Sequence, residues 1–173
     1  ERLDAFGLDY TVLYPSHALY YVHIDDESER RGLCRAVNAY NADYFREYAD
    51  RMTPAALVPM HTPQEAIEEA EYAVKVLGLK TILIPTYVRR PVKALLDQFP
   101  GAAASAGHLD YYAIDSDHDY DPFWAKCLEL GVVPTTHSTG MGIGTRRSHS
   151  NFMYNHIGHF ASASEGQIGR AHV

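Results

Sequence analysis

Short apolar runs rich in β-branched residues recur along the chain, and each has the length of a buried strand. The four runs lie at 10–14, 56–58, 81–84 and 132–136. Runs of this length, bounded by proline and by polar or small residues, are typical of strands covered on both faces. Each run carries a proline at or near its end and is followed by a loop, which makes a weak repeat marked by Pro15, Pro59, Pro85 and Pro134.

Helical periodicity fills the first interval between these runs. Between 31 and 49, apolar side chains recur at helical spacing and leave Arg, Asn, Asp and Glu on the opposite face. This pattern predicts a buried stripe made of Leu33, Val37, Tyr40, Tyr44 and Tyr48.

The best-marked helix begins at 62–65, where Thr-Pro-Gln-Glu combines a capping box with proline at the first helical position. Gly78 ends this helix. A third helix is predicted over 121–130, between an aspartate cap and a glycine, and a shorter one over 91–98. The apolar stripe of the best-marked helix consists of Ile67, Ala70, Val74 and Leu77.

The order of these elements predicts the fold class. Strands that alternate with helices of this length are typical of parallel strands joined by crossover helices, so the sequence predicts an α/β fold. In such sheets ligands gather at the carboxyl ends of the strands. The candidate residues are therefore those just after each run: Ser16 and His17, Met60 and His61, 86–90, and 137–144.

His137 is the first candidate for a functional role. It leaves the carboxyl end of the fourth run directly after Thr135 and Thr136. A histidine in this place is held by rigid backbone, which suits a metal ligand or a general base. The alternative is a histidine that only bonds a neighbouring loop. His17 and His61 hold similar positions, and for these two we favour ordinary loop or helix-cap roles.

Two further histidines and two arginines are weaker candidates. His156 and His159 are spaced i, i+3 and would share one face of a helix. They lack the His-Glu-x-x-His pattern, so we expect them at the border of an active site, in a catalytic role, and not as a joint metal site. Arg89 and Arg146 lie in loops at the expected ligand end, where a guanidinium group can bind a substrate carboxylate. Solvated loop charge is the alternative for both arginines.

Two motifs suggest other functions. Alternate aspartates between 115 and 121 resemble a calcium loop, but Pro122 and Leu128 occupy positions that such a loop fills with Gly and Glu. The glycines of 140–144 follow a strand and suggest a dinucleotide site, yet the third glycine falls one residue early. We expect a glycine-rich lid beside His137, and a dinucleotide-binding module is the rival function.

Composition narrows the class of protein. The 173 residues are 46% hydrophobic with a net charge of −7, which fits one globular domain and argues against nucleic-acid or membrane partners. No apolar run approaches the ~20 residues that span a bilayer. Cys34 and Cys127 lie in helical stretches, so we expect no disulfide and a reducing cytoplasm. Ten histidines are a site signal, because histidine is the commonest metal ligand.

Four segments carry a pattern shared with a known family. They lie at 58–67, 115–124, 130–138 and 154–160, and they read VPMHTPQEAI, DSDHDYDPFW, LGVVPTTHS and YNHIGHF. These segments resemble the amidohydrolase-related family, the branch of the amidohydrolase superfamily that includes aminocarboxymuconate-semialdehyde decarboxylase and related metal-dependent hydrolases. The likeness extends over nearly the whole chain.

This resemblance implies a (β/α)8 TIM barrel with a divalent metal, usually zinc, at the carboxyl ends of its strands. The family's ligands are a His-x-His pair after the first strand, one histidine after the fifth and an aspartate after the eighth. Of these, only the fifth-strand histidine has a counterpart in this sequence, His137. Some members use a histidine near the sixth strand as proton donor, and we find no clean match for it.

The length of the chain bears on its domain organisation. A barrel needs about 250 residues, so we expect 1–167 to be an internal fragment of one barrel domain, with strands two to five and their helices. The last six residues, 168–173, correspond to the translation of a common sequencing adapter, and we expect them to be a non-native tail. Barrel strands cut from their neighbours expose two edges, so we expect the isolated chain to be poorly soluble or oligomeric.

The sequence therefore predicts that the intact parent is a metal-dependent hydrolase or carboxy-lyase. Its expected partner is a small, carboxylated organic substrate, and a homo-oligomer is an open alternative. Hydrolysis and decarboxylation are not separated by these residues. The rival functions are the dinucleotide-binding module and a barrel relative that has lost its metal ligands and its activity.

Overall fold

A computed structural model of the protein describes residues 2–102 and 107–137, together with a few positions between 150 and 161. The described residues form six strands: β1 (Thr11–Leu13), β2 (Met52–Leu57), β3 (Thr81–Ile84), β4 (Val88–Pro91), β5 (Gly107–Asp110) and β6 (Pro134–Thr136). They form five α-helices: α1 (Arg2–Ala5), α2 (Glu27–Tyr44), α3 (Pro63–Glu71), α4 (Lys93–Gln98) and α5 (Asp121–Leu130). No helix in this described part is long and apolar enough to cross a membrane.

Four of the strands form a parallel sheet in the order β1-β2-β3-β6, which confirms the predicted α/β class. Each of the four predicted runs contains or overlaps one of these strands. The strands pair in register, with Leu57 opposite Leu83 and Ile84 opposite Thr136. Because all four strands run in one direction, their carboxyl ends meet at a single edge, called here the carboxyl edge.

The chain divides into two compact units. The first contains the parallel sheet with α1, α2, α3 and α5 and consists of residues 1–85 and 121–137. The second contains β4, α4 and β5, and its described part includes residues 86–102 and 107–120. The core cluster of the first unit lies between the sheet and α2 with the loop that precedes it. It is formed by Ala18, Val22, Cys34, Ala55, Leu57 and Leu83.

The buried face of α2 differs from the predicted stripe. The helix begins at Glu27, and its buried residues are Arg30, Cys34 and Asn38. Of the predicted stripe, Leu33 and Val37 are half-buried, whereas the aromatic rings at its end are exposed: Tyr40, Tyr44 and Tyr48. The prediction was wrong because a tyrosine ring with its polar hydroxyl tolerates water, while the face that packs on the sheet carries polar groups with specific partners.

The helix α3 begins as predicted, with Thr62 as its cap. The Thr62 hydroxyl accepts a hydrogen bond from the Glu65 amide at 3.2 Å, and Pro63 occupies the first turn. A π-helical turn, Tyr72–Val76, follows α3 and rotates the end of the predicted stripe. The most buried positions of α3 and this turn are the alanines Ala66, Ala70 and Ala73.

The second unit contains an antiparallel hairpin that the sequence did not predict. In this hairpin β4 pairs with β5, from Val88 opposite Asp110 to Pro91 opposite Gly107. The short helix predicted from 91 exists, but it begins at Lys93 because Pro91 ends β4.

Candidate functional site

His137 lies where the sequence placed it, directly after β6 at the carboxyl edge. The strand that carries it is held to β3 by backbone pairing and by the Thr135 hydroxyl, which donates to the Ile82 carbonyl at 2.9 Å. The backbone at His137 is thus anchored within one residue of a paired strand. Such an anchor limits the positions that the imidazole can adopt.

One ring nitrogen of His137 has an unusual environment. Its Nδ1 is shielded from solvent and has no hydrogen-bond partner among the residues that the structure describes. Buried polar nitrogens are almost always bonded, so an exception calls for an explanation such as an ion or a ligand. The nitrogen therefore fits the role of a metal ligand.

Tyr14 approaches His137 from the other outer strand of the sheet. It follows β1, and its ring centroid lies 5.8 Å from that of His137, with the two planes inclined by 48°. Strands in a sheet are about 4.8 Å apart, so the outer strands of a flat four-stranded sheet are separated by about 14 Å. The approach of these rings fits a sheet curled like part of a barrel, with the two outer strands turned towards each other.

The other histidines at the carboxyl edge occupy loops. His17 is exposed after β1, and His61 lies between β2 and the cap of α3, with its Nδ1 shielded from solvent. His23 ends a short 3-10 turn, Tyr21–His23, and burial lowers its pKa to about 4. A histidine with that pKa is neutral at pH 7, so His23 contributes no positive charge near this edge.

The two candidate arginines differ in what the structure describes. Arg89 lies on β4 of the second unit with an exposed side chain. Its neighbour Arg90 is committed to the protein, because its Nε donates to Asp110 at 2.9 Å and its Nη2 to the Tyr120 hydroxyl at 2.9 Å. The remaining predicted site residues lie outside the described part of the chain: Arg146, His156, His159 and the glycine segment 140–144.

The described residues alone do not assemble a full metal site. Within 2–102 and 107–137 no group of three His, Cys, Asp or Glu side chains is placed to share an ion. A structural or catalytic zinc takes three or four protein ligands, so His137 would be one donor among several.

Sequence analysis missed a set of buried polar contacts in the first unit. Arg30, Asn38 and Glu65 are all at least 97% buried, and each bonds across helices or loops. A signal for them was present, because Arg30, Cys34 and Asn38 recur at i, i+4 and i+8, the spacing of one helical face. A hydrophobic pattern does not contain this signal, because Arg30 and Asn38 are polar.

A comparison with protein families adds an independent observation. The family described as amidohydrolase matches residues 6–163, which is most of the chain. This chain belongs to the amidohydrolase family. The four parallel strands with their crossover helices are the corresponding part of the amidohydrolase barrel. No protein with a curated description matches the sequence significantly.

Solved structures give the same fold as this amidohydrolase chain. It is similar to 2,6-dihydroxybenzoate decarboxylase from Rhizobium, with 21% identity and a TM-score of 0.60 over 89% of this chain and 41% of that one. It is similar to 5-carboxyvanillate decarboxylase from Sphingomonas paucimobilis, with 16% identity and a TM-score of 0.63 over 96% of this chain and 43% of that one.

A third similar structure was crystallised with a metal. Dihydroxybenzoic acid decarboxylase from Polaromonas sp. JS666, with bound manganese and the inhibitor 2-nitroresorcinol, is 22% identical and has a TM-score of 0.59. The match covers 79% of this chain and 36% of that one. The amidohydrolase chain thus spans less than half the length of each of these three structures, and at these identities the likeness establishes the fold.

Proposed function

We propose that this chain is part of a metal-dependent enzyme, a hydrolase or a carboxy-lyase, that acts on a small, carboxylated organic substrate. In this proposal residues 1–167 supply strands two to five of a (β/α)8 barrel, and 168–173 are a non-native tail. Membership of the amidohydrolase family supports it, as do the curled parallel sheet and the partial coverage of longer, similar structures. In barrels of this kind the site lies at the carboxyl edge.

The observation that carries the proposal is the buried, unpartnered Nδ1 of His137 among the described residues. In the proposed site this nitrogen is one ligand of a divalent ion. The resemblance favours zinc, whereas a similar structure holds manganese, so both ions belong in the test. A bound divalent ion supplies a water molecule of lowered pKa or a positive charge for a substrate carboxylate.

Other residues of this chain are proposed to bind the substrate and to border the pocket. Arg89 and Arg146 are proposed to bind the substrate carboxylate, since a guanidinium group offers two parallel donors to a carboxylate. His156 and His159 are proposed to border the pocket, where an imidazole can take or give a proton near neutral pH. The similar decarboxylases favour loss of CO2 over hydrolysis as the first reaction to assay.

Metal content of the full-length protein tests the proposal. We expect the wild type to retain about one equivalent of Zn²⁺ or Mn²⁺ per chain after gel filtration, and His137→Ala to lose at least tenfold in metal affinity. The measurement is metal stoichiometry by mass spectrometry together with calorimetric titration of both ions. His108→Ala is the matched control, because His108 is an exposed histidine on β5, and we expect it to bind metal as the wild type does.

The same titrations separate the rival function. A dinucleotide-binding module predicts that NAD binds and that neither ion does. Equal metal affinity in the wild type and in His137→Ala would contradict the role of His137, and binding of NAD without metal would contradict the proposed function as a whole.

A further inference from the structure

The guanidinium group of Arg30 joins three parts of the first unit. Its Nε and Nη2 donate to the two carboxylate oxygens of Glu65 at 2.8 and 3.1 Å. Its Nη1 donates to the backbone carbonyls of Ile24 and Asp25 at 2.6 and 3.0 Å. Arg30 belongs to α2 and Glu65 to the first turn of α3, so one side chain fastens two helices and a loop.

The fastened segments both come from the carboxyl edge. Ile24 and Asp25 end the loop that follows β1, residues 14–26, in which Val22 belongs to the core cluster. Glu65 lies three residues after Thr62, at the end of the loop that follows β2, residues 58–62. The first loop begins with Tyr14, whose ring approaches His137. Arg30 consequently ties the end of the first loop to the first turn of α3, which begins directly after the second loop.

Burial makes the geometry of this pair specific. The side chains of Arg30 and Glu65 are only 4% and 3% exposed. Paired groups in such surroundings hold one arrangement, since each lost hydrogen bond leaves a desolvated charge. Apolar residues of similar volume often replace a buried ion pair without loss of stability. Fold stability alone therefore does not explain why this ion pair is buried, whereas a role in orienting the loops does.

Glu65 also departs from its expected local role. In a capping box the glutamate side chain bonds back to the amide of the cap residue. The Thr62 hydroxyl does accept from the Glu65 amide, but both carboxylate oxygens of Glu65 bond Arg30 instead. The carboxylate is directed towards α2, across a sequence separation of 35 residues.

We propose that Arg30 and Glu65 are positioning residues that set how the loops 14–26 and 58–62 lie along the carboxyl edge, and through them the orientation of a substrate bound there. The effect on substrate rests on the proposed function, whereas the effect on the loops does not. Neither side chain is assigned a contact with substrate.

The test uses the double variant Arg30→Met/Glu65→Met in the full-length protein. Two methionines fill the space without a charge, so we expect a thermal midpoint within a few degrees of the wild type. Because the Ile24 and Asp25 carbonyls lose their donor, amide hydrogen exchange in the two loops should become about tenfold faster while exchange in the sheet stays unchanged. With 2,6-dihydroxybenzoate as the probe substrate, KM should rise about tenfold and kcat should change less than threefold.

A neighbouring ion pair provides the matched control. Arg31 and Glu68 join the same two helices but are 40% and 41% exposed and have no bond to the loop carbonyls. In Arg31→Met/Glu68→Met we expect loop exchange and KM to equal those of the wild type. Unchanged loop exchange in the Arg30→Met/Glu65→Met variant would overturn the proposal. A wild-type protein that binds no metal and ignores the probe would contradict the proposed function alone, because the exchange result would still decide the role of the pair.

Discussion

Individual polar residues make the most specific contacts in this structure. Asp110 shows this clearly: it is 98% buried and accepts hydrogen bonds from the Arg90 guanidinium, the Tyr112 amide and the Ser116 hydroxyl. Tyr112 has a positive φ of 64°, an uncommon conformation for a tyrosine, and its bond to Asp110 holds it there. A hydrophobic pattern contains no trace of such contacts, so Arg90 was predicted only as part of the segment 86–90 that follows the third run.

His23 gives a prediction at the same scale. Burial lowers its pKa to about 4, whereas in the unfolded chain the value is about 6.5. The unfolded state therefore takes up the proton first, and stability falls as the pH drops from about 6.5 towards 4. We expect the wild type to lose up to about 3 kcal/mol more than His23→Gln between pH 7 and pH 4. Urea denaturation of both proteins at each pH measures the difference, and parallel pH profiles would show that His23 is not desolvated.

At the scale of elements, the strands were easier to predict than the faces of the helices. A strand such as β3 is buried at all four positions, so an apolar run is sufficient to identify it. The start of β2 at Met52 was missed because Thr53 and Pro54 resemble a strand boundary. The β4–β5 hairpin was not predicted, because its strands Val-Arg-Arg-Pro and Gly-His-Leu-Asp lack an alternation of apolar and polar residues. An ion pair between Arg90 and Asp110 joins the two strands.

The orientation of α2 gives a prediction at this scale. The Asn38 amide nitrogen donates to the Leu57 carbonyl at 2.9 Å and to Glu69 at 2.8 Å, and its oxygen accepts from the Leu57 amide at 2.7 Å. Asn38→Leu removes the side-chain partner of both backbone groups of Leu57 and one of the two donors to Glu69, which keeps Arg35. We therefore expect a loss of about 2–4 kcal/mol in unfolding free energy. Tyr40→Ser, on the exposed face of the same helix, should change it by less than about 0.5 kcal/mol.

Chemical denaturation of the two variants measures both values. The predicted order follows from the observed burial of Asn38 and exposure of Tyr40. The opposite order, with Tyr40→Ser the more destabilising change, would mean that the tyrosine stripe faces the core, as the periodicity alone indicated.

At the scale of the whole molecule, sequence and structure agree on the architecture and on the position of His137 directly after a strand. The α/β class, the parallel strands and the place of His137 at the end of β6 were all predicted, since each depends on local pattern. The approach of Tyr14 to His137 was not predicted. It arises from the curl of the sheet, which brings together residues more than a hundred positions apart in the chain. The roles of Arg89, Arg146, His156 and His159 stay predictions.

We propose that His137 is a ligand of a divalent metal at the carboxyl edge of an amidohydrolase barrel. The most direct test is a crystal structure of the full-length protein grown with Zn²⁺ and measured at the zinc absorption edge. We expect an anomalous peak about 2.0–2.1 Å from a ring nitrogen of His137. A zinc peak elsewhere, with both His137 nitrogens bonded to protein groups, would contradict it.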